Sequence, residues 1–240
     1  MEEREAGLTL IDCLERWRDE YGAAVAVRDK TTSLTYAELF DESSRFASGL
    51  ASEGVEAGDK IVLQLPNKAE SLVVLFGSVM RGCIPVLALP THRETEILHF
   101  CSKSRASCLI VPSSSSVYDF ESLASSVRKT NPRIKCFVVG KSTRNKSVSE
   151  LRGEPLKITR PDQNSTLFLL PSGGTTGLPK LIPRSNFSYV YNFSKAASQS
   201  GFTRETKYLA ALSICHNLPL ACPGVLGALE NGGTVILAET

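Results

Sequence analysis

Residues 167–180 read LFLLPSGGTTGLPK: a short apolar run followed at once by the nine-residue segment 172–180, SGGTTGLPK, with three glycines, two threonines and a lysine. The apolar run predicts a buried strand, and a strand that empties into such a loop is suited to holding phosphate. Glycines leave backbone N–H groups uncovered and tolerate positive φ, so successive amides converge on an anion. Thr175 and Thr176 add hydroxyl donors and Lys180 adds a mobile cation. Ser172, Gly173, Gly174, Thr175, Thr176, Gly177 and Lys180 are therefore the candidate nucleotide-binding residues. The bland alternative is a flexible Gly/Ser/Thr connection between strands.

The common phosphate-loop pattern, GxxxxGK followed by Ser or Thr, is absent. Leu178 follows Gly177, the lysine comes only after Pro179, and Leu181 stands where a magnesium-binding hydroxyl belongs. No GxGxxG opens a helix with an acidic residue about twenty positions on, which argues against a dinucleotide fold.

Outward from the loop, the pattern alternates. Leu10, Cys13, Leu14 and Trp17 share helical spacing, and 24–27 reads as a strand. Thr35 with Glu38 makes a capping box for a helix ending at Gly54, and Asn67 with Glu70 makes another for a helix to Met80. Strands are expected at 60–65, 84–89, 108–111 and 134–139, with helices at 94–104 and 118–129 between them. Residues 140–163 turn polar with little periodicity. Beyond the glycine loop come a helix over 186–200, a strand over 208–212, a helix beginning near Pro219 and a strand over 234–238. The expected class is α/β, with mostly parallel sheets covered by helices on both faces and ligands at the carboxyl ends of the strands. The expected organisation is a first α/β subdomain at 1–139, a polar connection at 140–163 and the start of a second α/β subdomain at 164–240.

A second constellation follows the strand at 208–212, in SICHNLPLACPG. His216 and Asn217 leave the sheet edge as a helix starts, with Cys222 about one turn inside it. Asn217 offers an acceptor and donors, so it can bridge a carboxylate and an adjacent hydroxyl. Capping the helix is an equal alternative for Asn217, and packing is the expectation for His216.

Composition excludes other classes. The 240 residues are 42% hydrophobic and 22% charged, with 27 Lys plus Arg against 25 Asp plus Glu. Those basic residues are scattered, which gives nucleic acid no patch. The apolar stretch 72–80 is far short of the ~20 residues a membrane span needs. An acidic start, MEEREAG, lacks the order of a secretion signal, so a cytoplasmic location is expected. Seven cysteines without a CxxC pair read as buried reduced thiols, and His92, His99 and His216 show no ligand spacing with them, so no metal site is expected.

The segments VLQLPN at 62–67, IPVLALPTHR at 84–93, the glycine loop with KLIPR at 180–184, and LAALSICHNLPLACPGVLGALENGGTV at 209–235 together resemble the adenylate-forming ligases. ALPTHR and HNLPL narrow the resemblance to the stand-alone aryl-acid AMP ligases of siderophore and related nonribosomal peptide biosynthesis. The glycine loop alone is shared with acyl- and aryl-CoA ligases. The resemblance implies the N-terminal portion of that fold and a two-step reaction. An aryl carboxylate attacks the α-phosphorus of Mg²⁺-bound ATP, pyrophosphate leaves, and the aryl group passes to the phosphopantetheine thiol of an aryl carrier protein. It implies catalytic roles for Thr175, Thr176 and Lys180, contact of Asn217 with the ortho-hydroxyl and carboxylate of salicylate or 2,3-dihydroxybenzoate, and a place for His216 in the same pocket. Cys222 stands where dihydroxybenzoate activators tend to carry Ser and salicylate activators Cys, which favours salicylate. His92 and Arg93 match a family motif, and surface or structural pairing is expected of them. Asn186 departs from the family's usual His. The family's adenine- and ribose-binding segments and its C-terminal catalytic lysine have no counterpart here. The expectation is a fragment of a ligase with little or no adenylation of its own and exposed apolar surface; the alternative is a non-catalytic binding module.

Overall fold

The computed structural model describes residues 7–115, 117–155, 158, 160–173 and 177–238. The chain opens with α1 (Leu10–Tyr21), β1 (Val25–Arg28), β2 (Ser33–Thr35) and α2 (Tyr36–Ser52). A regular alternation follows: β3 (Lys60–Gln64), α3 (Ala69–Met80), β4 (Ile84–Ala88), α4 (Glu94–Ser104), β5 (Cys108–Pro112), α5 (Phe120–Thr130) and β6 (Lys135–Val139). After the short β7 (Lys146–Ser147) and a 3₁₀ turn come β8 (Thr166–Pro171), β9 (Leu181–Ser185) and α6 (Asn186–Gln199). The last described elements are β10 (Lys207–Ala210), α7 (Asn217–Ala221), α8 (Gly224–Glu230) and β11 (Thr234–Leu237).

These strands form two sheets, ordered β7-β6-β5-β3-β4-β8-β9 and β10-β11-β1-β2. All pairings are parallel except β8 with β9 and β1 with β2. The α/β class expected from the alternation is therefore observed. Its cause is plain in β3, where Ile61 and Leu63 face the core between the sheets while Val62 packs under α4 and α5 on the opposite face, all three fully buried. A strand covered on both faces reads as a continuous apolar run.

Sheet membership does not follow chain order. β1 pairs with β11, whereas β8 and β9 extend the sheet built from 60–147, so the polar stretch 140–163 contributes β7 and links strands of one sheet. Helices α2 and α3 pass between the sheets and approach closely at Gly77. A Cβ there would lie 2.5 Å from the Ser43 carbonyl oxygen and 2.7 Å from Phe46 Cδ1.

Two expectations need correction, and one strand was not foreseen. The unforeseen strand is β9, which lies between the glycine loop and the helix expected at 186 and runs antiparallel to β8 at the sheet edge, where Pro183, lacking an N–H, is tolerated. The capping box at Thr35 and Glu38 is present, but Asn67 does not cap α3. Asp29, from the end of β1, accepts from the Ala69 N–H at 2.8 Å instead. Burial raises the Asp29 pKa, and backbone N–H groups of Ala69, Thr31 and Thr32 outweigh it, leaving the carboxyl below its ordinary value. Finally, the helix expected near Pro219 is two helices, α7 and α8, that meet at Cys222 and Pro223.

Candidate functional site

Asn67 brings the carboxyl end of β3 against the segment that follows β10. Its Nδ2 donates to the carbonyls of Ala210 at 3.0 Å and Leu212 at 2.9 Å, and its Oδ1 accepts from the Ile214 N–H at 3.1 Å. Cys215 Sγ reaches the carbonyls of Leu63 and Leu65 at 3.9 and 3.8 Å. The His216–Asn217 segment is thereby carried from one sheet to the strand ends of the other, beside the exit of β8. Among the resulting features is a cavity of about 150 Å³ lined by His92, Leu170, Ser172, Gly173, His216 and Asn217. Leading residues of the glycine loop and the second constellation thus share one cleft.

The loop is closed at its base. Ser172 N–H donates to the Lys180 carbonyl at 2.8 Å, and Lys180 N–H donates to Ser172 Oγ at 2.9 Å. Gly173 and Gly177 are exposed, and a Cβ built at either meets nothing within 4 Å. Among the described residues, no packing requires glycine at these two positions. The open space beside both α-carbons leaves the backbone accessible to a phosphate. Lys180 is exposed. Gly174, Thr175 and Thr176 lie outside the described residues.

On the opposite wall, His216 is the N-cap of α7: its Nδ1 accepts from the Leu218 N–H at 3.2 Å. Asn217 is freed from capping. Its Oδ1 accepts from the Tyr189 hydroxyl at 3.0 Å and its Nδ2 donates to Cys222 Sγ at 3.2 Å. Asn192 Nδ2 also reaches Cys222 Sγ, at 3.5 Å, and donates to the Ala221 carbonyl at 2.8 Å. Cys222 therefore stands behind Asn217 and is not among the residues lining the cavity. Tyr189 is fully buried, its ring edge-on to Phe168 at 5.1 Å, and burial holds its phenol pKa well above the ordinary value. It stays a donor and fixes which face of the Asn217 amide points inward. One Nδ2 hydrogen and one Oδ1 lone pair of Asn217 are left for a ligand.

The reading of the sequence missed Tyr189 and Asn192. Their signal was a tyrosine hydroxyl on the buried face of α6 that carries Val190 and Phe193, with half-buried Asn192 three residues on at the edge of that face.

The floor of the cavity is rigid. His92 Nδ1 accepts from the Leu89 N–H at 3.0 Å, and the buried Gln64 donates to the carbonyls of both Leu89 and His92 at 2.9 Å. Burial pushes the His92 pKa down, so it meets an incoming anion as a neutral ring. Arg93 braces the same turn through the Pro90 and His92 carbonyls and lies 4.4 Å over the Tyr118 ring.

Known proteins share the chain's sequence pattern and fold. The family model described as AMP-binding enzyme matches residues 14–240. The chain is 38% identical over 236 residues to the 2,3-dihydroxybenzoate-AMP ligase of Bacillus subtilis, covering 98% of this chain and 44% of that protein. It is 36% identical over 240 residues to the salicyl-AMP ligase/salicyl-S-ArCP synthetase of Mycobacterium tuberculosis, covering 98% of this chain and 42% of that protein. The apo structure of MbtA from Mycobacterium smegmatis superposes with a TM-score of 0.91 at 37% identity, over 97% of this chain and 44% of that one. The chain thus spans less than half the length of these relatives.

Proposed function

This chain belongs to the AMP-binding enzyme family, and we propose that it supplies the phosphate-gripping and aryl-acid-orienting half of an aryl-acid AMP ligase. The observation that carries the proposal is the single cleft shared by Ser172 and Gly173 with His216 and Asn217. ATP, with its magnesium, brings the α-phosphorus that an aryl carboxylate attacks; pyrophosphate is the leaving group.

The work of this chain is positional and electrostatic. In this reading the amides of the glycine loop and the Lys180 ammonium meet the charge that builds on the phosphoryl oxygens and act by alignment and neutralisation. We assign Thr175 and Thr176 to the same task from their place in the motif. Asn217, held by Tyr189, turns its remaining hydrogen and lone pair toward the carboxylate and ortho-hydroxyl of the acid. His216 shapes the same wall while capping α7. We assign Cys222 a preference for salicylate over 2,3-dihydroxybenzoate from its place in the motif; standing behind Asn217, it acts by holding the Asn217 amide that meets the ring. An aryl carrier protein, whose phosphopantetheine thiol would accept the activated acyl group, is the expected partner.

Calorimetric titration of the chain with ATP and with salicylate tests the reading. Saturable binding of both is expected, with ATP binding weakened by Lys180→Ala and salicylate binding by Asn217→Ala. Failure of the chain to bind either ligand overturns it.

A further inference from the structure

The trailing limb of the glycine loop is tied to a helix that the site has not so far needed. His99, half-buried on α4, places Nε2 3.0 Å from the carbonyl oxygen of Pro179, the residue before Lys180. A carbonyl only accepts, so Nε2 carries the hydrogen. Next to it in sequence, Phe100 is fully buried, with its ring centroid 5.9 Å from that of His99 and 5.0 Å from that of His92. Because His92 lines the cleft with Ser172 and Gly173, Phe100 links the two imidazoles, and α4 with the turn before it reaches the loop at both limbs. Leu181, immediately beyond the loop, packs against the same core cluster that holds Ile97 and Phe100.

Such a tie answers a physical need. At its base the loop is closed by the paired Ser172 and Lys180, and at Gly173 and Gly177 no described residue lies within 4 Å of where a Cβ would stand. A glycine-rich segment loses much conformational freedom when it grips an anion, and that loss subtracts from affinity. Pro179 already has a fixed φ, so anchoring its carbonyl leaves the chain little freedom at the residue that precedes Lys180.

We propose that His99 is a positioning residue for the glycine loop: by donating to the Pro179 carbonyl it holds the loop's trailing limb, and hence Lys180, in the arrangement that receives phosphate. The inference rests on reading 172–180 as a phosphate loop and deepens that reading; His99 itself touches no substrate.

Two variants of the full chain separate positioning from packing. His99→Leu keeps the bulk and removes the donor, whereas His99→Gln restores a side-chain N–H. The first readout is amide hydrogen exchange at Gly177, Leu178 and Lys180 without ligand, and the second is affinity for inorganic tripolyphosphate. His99→Leu should speed loop exchange and weaken tripolyphosphate binding by about three- to tenfold each, the range set by losing one neutral hydrogen bond. Exchange in β3 and β5 should stay unchanged, and His99→Gln should recover both values to within about twofold of the parent. Unchanged loop exchange in His99→Leu overturns the proposal. So does a uniform rise in exchange through β3 and β5, or a defect that His99→Gln leaves in place. If the parent chain binds no tripolyphosphate, the phosphate-loop reading fails, and the exchange measurement still decides whether His99 orders the loop.

Discussion

Replacing Asn67 with alanine should damage this protein far more than a lone polar residue between a strand and a helix ordinarily does. The side chain is 5% exposed and makes three hydrogen bonds to backbone groups of the segment after β10. Truncation strands the buried Ile214 N–H and takes a donor from the carbonyls of Ala210, which still accepts from the Ala238 N–H, and of exposed Leu212. At a net ~1 kcal/mol for each bond, the loss is about 3 kcal/mol. For a chain of this size that corresponds to a fall in Tm of roughly 6–12 °C. Urea unfolding followed by tryptophan fluorescence is a suitable assay, since Trp17 sits in the core shared by the two sheets. Asn67→Asp keeps the acceptor for Ile214 but turns a carboxylate toward two carbonyls, so it should be at least as harmful. Salicylate affinity should fall in parallel, because the same segment carries Asn217. A loss below about 1 kcal/mol for Asn67→Ala, given the three bonds at stake, would refute the idea that this side chain joins the sheets.

Cys222→Ser should shift relative affinity from salicylate toward 2,3-dihydroxybenzoate by about fivefold or more, since it replaces the sulfur that holds the Asn217 amide and so changes how Asn217 meets the ring hydroxyls; an unchanged ratio in competition calorimetry counts against the pocket assignment. Gly77→Ala should cost about 1–3 kcal/mol in urea unfolding, because the added methyl meets the Ser43 carbonyl and Phe46 across the α2–α3 contact; a neutral result means the helices part more easily than the packing implies. Alkaline pH should unfold the chain early. Burial pushes the thiols of Cys13, Cys83 and Cys101 up to about 12 and those of Cys136 and Cys215 to about 11, and it also raises Cys108. A group raised in this way contributes its full stability below its ordinary value near 9 and loses it as pH climbs toward 11 to 12. Each pH unit in that window costs about 1.4 kcal/mol per thiol, so the urea midpoint at pH 10 should lie well below that at pH 8. Equal midpoints would show that these thiols do not hold the fold to neutral sulfur.

Local physics made much of this architecture readable in advance. Strands such as β3, apolar at consecutive positions, announce burial on both faces, and the Thr35–Glu38 pair announces the start of α2 because its bonding is contained within four residues. Asn67 and Glu70 carry the same spacing, yet the outcome differs because partners 143 to 147 residues away claimed the Asn67 amide. The pairing of β1 with β11 was equally out of reach, since nothing within either strand specifies a partner more than 200 residues distant. At the site, the glycine loop and the HNLPL segment could be picked out singly from residue chemistry. Whether Asn217 capped the helix or faced a ligand could not, because the answer depended on His216 taking the cap and on Tyr189, from another helix, taking the Asn217 oxygen. β9 escaped notice because Pro183 reads as a strand breaker and is harmless only at an edge.

Amide and side-chain NMR shifts during a titration with ATP, followed by salicylate, probe the shared cleft most directly. ATP should move the backbone signals of Ser172, Gly173, Gly177 and Lys180, and salicylate should then move the side-chain amide of Asn217 and the ring of His216. Shifts confined to either wall alone, or clustered away from both, would contradict a common site for phosphate and aryl acid.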